Sequence, residues 1–273
     1  MNERYIAPIS YTYDYPENQH GHMIDPVPKY HPVLDENYPY REYSFAYKFK
    51  RFWLCVFMNL IALPVCAIRY AINVEGKENL HKAKKELKNG FVTVCNHVFY
   101  WDYLSILWAL YPRKGYFPIW NINMRDPKAP AFKLIGGIPV PVNSMHAGKK
   151  FNDAMNSVLK DKQWLHVYPE ASMWFWYPAI REFMPGAFTY AYNYNVPVIP
   201  LALSYKPPKG IYRLFKKEPC VTVHIGSPVY ADKSLSRRES ITKLTQDARK
   251  AVMELLNIHS EEENTELKNL YAQ

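Results

Sequence analysis

A histidine and an aspartate five residues apart carry the clearest chemical signal in the sequence. His97 follows the apolar stretch FVTVC, and Asp102 opens a helical pattern after VFYW. A strand ending at the histidine and a helix beginning near the aspartate would bring the two side chains together. The carboxylate would then hold one ring nitrogen and leave the other to take a proton from a hydroxyl. The spacing thus indicates a general base, although taken alone it more often belongs to a structural histidine.

The segments around this pair alternate between helical and strand patterns. Helices are predicted over 78–88, 102–111, 144–160 and 234–258, where apolar residues recur every three or four positions. Strands are predicted at FVTVCN, WLHVY, VPVIPLALSY and CVTVHIG, which are rich in β-branched residues. This alternation predicts an α/β fold, with a mixed sheet flanked by helices over residues 73–258.

An apolar helix is predicted ahead of this domain, within residues 42–72. Its 17-residue stretch FWLCVFMNLIALPVCAI lies between Arg51 and Arg69. As a helix it would span about 25 Å, against roughly 30 Å of hydrocarbon in a bilayer. We therefore expect a membrane-associated helix that lies in one leaflet, with a buried core helix as the alternative. Residues 1–41 are predicted to be an extended or poorly ordered arm, and residues 259–273 a frayed acidic tail.

The composition favours anionic partners. The 34 basic and 25 acidic residues give a formal net charge of +9, which suits acidic lipid, a phosphorylated ligand or nucleic acid. No nucleic-acid module is recognisable, so a nucleic-acid partner is not expected. The four cysteines form no CxxC pair, which suggests neither a zinc site nor disulfides, and we expect no metal. The polar first fifty residues do not match a secretory signal.

Four sequence blocks resemble those of the glycerolipid acyltransferase superfamily. The first is Asn96, His97 and Asp102, and the second is the turn Gly136–Gly137 into Ile138–Val140. The third and fourth blocks are Tyr168–Pro169–Glu170–Ala171–Ser172 with Gly186–Ala187–Phe188, and the strand Val196–Pro200. The resemblance covers about residues 42–228, and four blocks in the right order are far more specific than any one of them.

The resemblance implies transfer of a fatty acyl group from a thioester to the free hydroxyl of a lysophospholipid, with 1-acylglycerol 3-phosphate as the expected acceptor. His97 and Asp102 would be catalytic, and the donor would be an acyl-CoA or an acyl carrier protein thioester, with no cofactor. The protein would sit on the cytoplasmic face of a membrane. The predicted substrate-binding residues are Asn96, Glu170, Arg181, Lys133, Arg125 and Gly186.

Two arginines that commonly hold the acceptor phosphate in this superfamily are missing. Val142 or Asn143 stands at the first position, and Met173 at the second. Arg181 is the first candidate to replace them, followed by Arg125 and Lys133. Each of these residues also fits the simpler interpretation of a solvated surface charge.

Other functions fit parts of the sequence. The enzyme could use a different lysolipid, or the protein could be a non-catalytic membrane lipid-binding protein with the same fold. Cys95, two residues before His97, raises a cysteine-nucleophile hydrolase, although a buried strand cysteine is usually inert. The absence of a GxSxG motif weakens an α/β-hydrolase lipase.

Overall fold

A computed structural model describes residues 15–23, 33–124, 129–142, 144–216 and 219–269. The strands are β1 (Asn73–Glu75), β2 (Phe91–Val94), β3 (Gly115–Trp120), β4 (Gly137–Val140), β5 (Trp164–Val167), β6 (Val198–Lys206) and β7 (Cys220–Ile225). The helices are α1 (Phe45–Phe57), α2 (Leu63–Tyr70), α3 (Lys77–Lys82), α4 (Asp102–Ala109), α5 (Ala129–Ile135), α6 (Met145–Lys160), α7 (Gly186–Tyr194), α8 (Tyr212–Phe215), α9 (Arg237–Leu255) and α10 (Glu261–Asn269). The predicted α/β class is confirmed.

Within the described residues, the strands form one sheet in the order β1-β7-β6-β2-β5-β3-β4. Neighbouring strands are parallel except for β6 and β7, which are antiparallel. The carboxyl ends of β2 to β6 therefore share one edge of the sheet, which we call the carboxyl edge. Ligands of such sheets bind outside the carboxyl ends of the strands.

Helices cover both faces of the sheet because its central strands are apolar on both sides. Val92 and Val94 of β2 pack in one cluster, with side chains of α6, α7 and α9. Phe91 and Cys95 alternate with them and pack in a second cluster, with α2 and α4. A strand buried on both faces has little freedom to move, so the residues at its end are held firmly.

The apolar helix ahead of the domain runs from Phe45 to Tyr70. It is 26 residues long and joins α1 to α2 through a π-helical turn at Met58–Ala62. The turn precedes Pro64, which lacks the N–H of a regular helix. The most apolar 18-residue window has a mean hydropathy of 1.9 and is 17% buried, so by length and composition the helix is able to cross a membrane.

Arg51 fastens this helix to the sheet. Its guanidinium donates to the carbonyl of Leu134 at 2.8 Å and to the carbonyl of Gly115 at 2.9 Å. The same group lies 4.2 Å from the centre of the Tyr116 ring. Arg51 is 7% exposed, so a charged side chain on an apolar helix is satisfied inside the protein rather than by solvent.

Several segments differ from the predictions. β3 was not predicted, and the helix expected over 78–88 is divided into α3 and a 3₁₀ turn at Glu86–Asn89. The tail is not frayed over 261–269, because α10 forms there and Asn264 is fully buried. In the predicted arm, residues 15–23 and 33–41 pack against the domain, with Leu34 and Tyr40 in its core. The rest of the arm, 1–14 and 24–32, lies outside the described residues.

Candidate active site

His97 and Asp102 meet at the carboxyl edge of the sheet. β2 ends at Val94, and the chain turns through His97 into α4, whose first residue is Asp102. His97 Nδ1 lies 2.7 Å from Asp102 Oδ2. The same carboxylate accepts the backbone N–H groups of Val98 at 2.8 Å and Phe99 at 3.1 Å. These bonds fix the turn, so the two side chains are held together by local geometry.

The surroundings give the two side chains different access to solvent. The Asp102 side chain is 1% exposed, and that of His97 is 25% exposed. Burial raises the pKa of Asp102, whereas its hydrogen bonds to His97, Val98 and Phe99 act in the opposite direction. The His97 ring stacks on Tyr168 with centroids 3.9 Å apart. Among the described residues, His97 Nε2 has no hydrogen-bond partner, so this nitrogen remains for a substrate.

Glu170 joins the loop after β5 to the end of β2. We call residues 170–181 the active-site loop. Glu170 Oε2 accepts the backbone N–H of His97 at 3.2 Å, and Oε1 accepts that of Arg181 at 3.0 Å. The carbonyl of His97 in turn accepts the N–H of Trp174 at 3.0 Å. Glu170 is therefore placed to position the backbone of His97, and it is itself 1% exposed.

Arg181, the first candidate for the acceptor phosphate, is not placed to bind it. The residue is 1% exposed, and its Nη2 donates to Glu170 Oε2 at 3.0 Å. Its Nη1 donates to the Ser172 hydroxyl at 2.9 Å and to the carbonyl of Gln19 at 2.7 Å. The guanidinium is thus used inside the protein, because Glu170 is a buried charge that requires a partner. We correct the prediction accordingly: Arg181 is a structural residue of the active-site loop.

The other predicted cation sites lie elsewhere or outside the described residues. Lys133 Nζ is 3.3 Å from Glu42 Oε1 and 4.4 Å from the centre of the Tyr38 ring, so it pairs with residues ahead of the apolar helix. The structure does not bring Lys133 into contact with His97 or Asp102. Arg125 and Asn143 are outside the described residues. Val142 is 54% exposed.

Asn96 and Gly186 also have structural surroundings. Asn96 is 1% exposed; its side chain accepts the N–H of Leu203 at 2.8 Å and donates to the carbonyl of the same residue at 3.2 Å. It therefore ties the end of β2 to β6, and the structure does not present it to a substrate. Gly186 is exposed as the first residue of α7, and a side chain there would meet open space.

Neither of two neighbouring groups is suited to replace His97. Cys95 is fully buried, and burial together with the nearby carboxylates of Asp102 and Glu170 raises the pKa of its thiol well above the usual value. A buried protonated thiol is a poor nucleophile, so the cysteine-hydrolase interpretation is wrong. His166 is also fully buried, and burial lowers its pKa to about 3. No group of metal-ligating side chains occurs among the described residues.

The chain is similar to proteins of known family. Residues 71–204 match the family model described as Acyltransferase. This chain carries an acyltransferase-family domain. The matched range of the acyltransferase domain contains both His97 and Glu170.

Among solved structures, the chain is similar to the crystal structure of the 1-acyl-sn-glycerophosphate (LPA) acyltransferase PlsC from Thermotoga maritima. The identity is 16%, with 77% of this chain and 95% of that chain covered, and the TM-score is 0.49. At this level the likeness carries no argument about what the acyltransferase domain acts on. A search of curated proteins gives no match.

The sequence missed three features of the site. Tyr168 was read as part of a block and not as the ring that stacks on His97. The bonds from Glu170 to His97 and Arg181 join residues 73 and 11 positions apart. Residues 15–23 pack on the active-site loop from about 150 positions away. The only signal for these residues was their unusual content of tyrosine and histidine.

Proposed function

We propose that this protein transfers a fatty acyl group from an acyl thioester to the free hydroxyl of 1-acylglycerol 3-phosphate. The observation that supports it most is the His97–Asp102 pair at the carboxyl edge of an acyltransferase-family domain. The donor is an acyl-CoA or an acyl carrier protein thioester. The product is a diacylated glycerol phosphate, together with the free thiol of the carrier.

In the proposed mechanism, His97 Nε2 takes the proton of the acceptor hydroxyl. The resulting alkoxide attacks the carbonyl carbon of the thioester and forms a tetrahedral intermediate. When this intermediate collapses, the carbon–sulfur bond breaks and the thiolate takes the proton back from His97. Asp102 keeps the imidazole in the tautomer whose Nε2 is unprotonated and balances its positive charge. The reaction forms no acyl-enzyme.

The direct test is an assay of the purified full chain with labelled acyl-CoA and acyl carrier protein donors. The acceptors are 1-acylglycerol 3-phosphate and a panel of other lysolipids. We expect acylation of the phosphate-bearing acceptor. Transfer only to another lysolipid would retain the acyltransferase and change its substrate, while binding without transfer to any acceptor would favour a lipid-binding protein.

Replacing Asp102 with asparagine tests the role of the buried carboxylate. An amide cannot enforce the tautomer, so we expect Asp102→Asn to lower kcat by a factor on the order of 10² to 10⁴. The measurement is steady-state transfer with a circular dichroism check of folding. Because Asp102 also accepts the N–H groups of Val98 and Phe99, its carbonyl oxygen is expected to preserve part of the turn. Nearly normal turnover by the folded variant would contradict the mechanism.

We further propose that the apolar helix attaches the protein to one leaflet of the membrane at the cytoplasmic face. Phe49, Trp53 and Phe57 follow one another at four-residue spacing and are 50–55% exposed. Arg51, on another side of the helix, is bound to carbonyls of the domain. A helix held along one side cannot cross a bilayer on its own, so immersion of the exposed side in one leaflet is favoured.

Replacing these three aromatic residues with glutamine is expected to release the protein from membranes. Burial of one large apolar side chain contributes about 1.5–3 kcal/mol, so the triple variant should bind vesicles at least about 10²-fold more weakly. Sedimentation with liposomes measures this effect. Tyr230→Gln, at a residue that is also 51% exposed, serves as the control. Release of the wild type by high salt alone would show that the attachment is electrostatic.

A further inference from the structure

Residues 15–23, which we call the strap, are bound to the active-site loop by directed hydrogen bonds. The carbonyl of Gly21 accepts from the Ser172 hydroxyl and from Trp174 Nε1, both at 2.8 Å. The carbonyl of Gln19 accepts from Arg181 Nη1 at 2.7 Å. Because all three donor residues are at most 3% exposed, removing the strap would leave buried donors without partners. The strap is therefore a built part of the domain.

Aromatic contacts fix the first end of the strap. The Tyr15 hydroxyl donates to the carbonyl of Phe175 at 2.7 Å. Its ring lies 5.4 Å from that of Trp174 in a stacked arrangement and 4.8 Å from that of Tyr177 edge-on. These contacts join the strap to the middle of the active-site loop, so its path beyond Tyr15 is set.

The second end of the strap crosses the carboxyl edge of the sheet. His20 Nδ1 is 3.3 Å from the carbonyl oxygen of Glu170, just after β5. The His22 ring stacks on Trp120, the last residue of β3, with centroids 4.1 Å apart and planes within 7°. β5 lies between β3 and β2 in the sheet. The strap thus covers the ends of two strands directly beside the strand that leads to His97.

A lysolipid whose hydroxyl reaches His97 must place its remaining atoms along this edge. The guanidinium of Arg181 is already bound to Glu170 and to the strap itself. The strap brings an exposed imidazole, that of His22, to the same edge and holds it flat on an indole. An imidazole N–H in a fixed plane is a suitable donor to a phosphate oxygen, and the bond is charge-assisted.

We propose that the strap forms one wall of the acceptor pocket, and that His22, held on Trp120, is the specificity-determining residue that binds the acceptor phosphate. This proposal rests on the proposed function, because it concerns the substrate of the same site. It assigns head-group recognition to a segment far from the active-site loop in the sequence. His22 does not take part in the chemical step, which belongs to His97.

The test compares His22→Phe with the wild type on two acceptors. Phenylalanine retains the stack on Trp120 and removes the N–H donors. We expect the ratio of kcat/KM for 1-acylglycerol 3-phosphate to that for 1-acylglycerol to fall about 10-fold or more, through a higher KM for the phosphate-bearing acceptor. His22→Gln, which keeps an N–H donor, should recover most of the ratio. A purely structural stack would instead give His22→Phe the wild-type ratio.

His81→Phe is the matched control. His81 is an exposed histidine of α3, which follows β1 at the opposite edge of the sheet. The same substitution there should leave both acceptors as in the wild type. An equal effect at both histidines would overturn the proposal, because it would assign the change to general loss of histidine charge.

A binding measurement separates this inference from the proposed function. We expect sn-glycerol 3-phosphate to raise the Tm of the wild type and glycerol not to do so, with the rise lost in His22→Phe. No rise in the wild type, or the same rise in the variant, would overturn the proposal whatever the turnover. A wild type that binds the probe through His22 but transfers no acyl group would contradict the proposed function alone.

Discussion

His97→Ala is expected to lower kcat for acyl transfer by about 10³- to 10⁴-fold while the protein stays folded. The imidazole is the proton acceptor for the hydroxyl and the proton donor to the leaving thiolate, and alanine provides neither. Its Nε2 has no partner among the described residues, and Nδ1 bonds only to Asp102 there. Loss of the ring thus removes few structural contacts, and the effect should appear in kcat more than in the free energy of unfolding.

Two measurements protect this prediction from trivial explanations. A thermal unfolding curve shows whether the variant retains its structure without the stack on Tyr168. His81→Ala, at the other edge of the sheet, controls for loss of a histidine as such. If a folded His97→Ala enzyme turned over at nearly the wild-type rate, the proposed mechanism would be wrong.

Arg181→Met is expected to cost about 3–5 kcal/mol of the free energy of unfolding. The change leaves the Glu170 carboxylate buried without its cation, and an isolated buried charge is strongly destabilising. Arg181 Nη2 is 3.0 Å from Glu170 Oε2, and the side chains are 1% and 2% exposed. Denaturant titration by tryptophan fluorescence measures the loss.

A double-mutant cycle shows whether this cost comes from the ion pair. Glu170→Gln with Arg181→Met removes both charges, so the double variant should be less destabilised than the sum of the single variants by at least about 1 kcal/mol. Simple additivity would show that the pair is not coupled. Should Arg181→Met instead fold normally and raise KM only for the phosphate-bearing acceptor, our assignment of Arg181 as structural would be wrong.

Local sequence was sufficient to predict the centre of the fold and the His97–Asp102 contact. β2 is recognisable because its residues are apolar on both faces, and the turn from β2 to α4 is short, so it leaves few geometries for a histidine and an aspartate five residues apart. β3 escaped prediction because Pro118 interrupts its pattern, whereas in the sheet its neighbours β4 and β5 determine its conformation.

Charged residues were harder to place than apolar ones. Sequence shows that Arg181 carries a charge near Glu170, but it does not show whether that charge faces solvent or a buried carboxylate. The strap was unpredictable for a related reason: its partners Ser172 and Trp174 are about 150 residues away. Hydrogen bonds between distant segments leave no periodic pattern in either segment, so only the folded structure reveals them.

The buried side chain of Asn264 has a consequence for the order in which the protein is completed during synthesis. Its Oδ1 accepts the N–H of Ile180 at 2.8 Å, and its Nδ2 donates to the carbonyl of the same residue at 2.9 Å. Ile180 belongs to the active-site loop, whose opposite side binds the strap near the beginning of the chain. A ribosome must therefore translate residue 264 before this loop has all of its partners. Contacts of such long sequence separation form late, so a nascent chain gains its complete candidate active site only after most of the protein has left the ribosome.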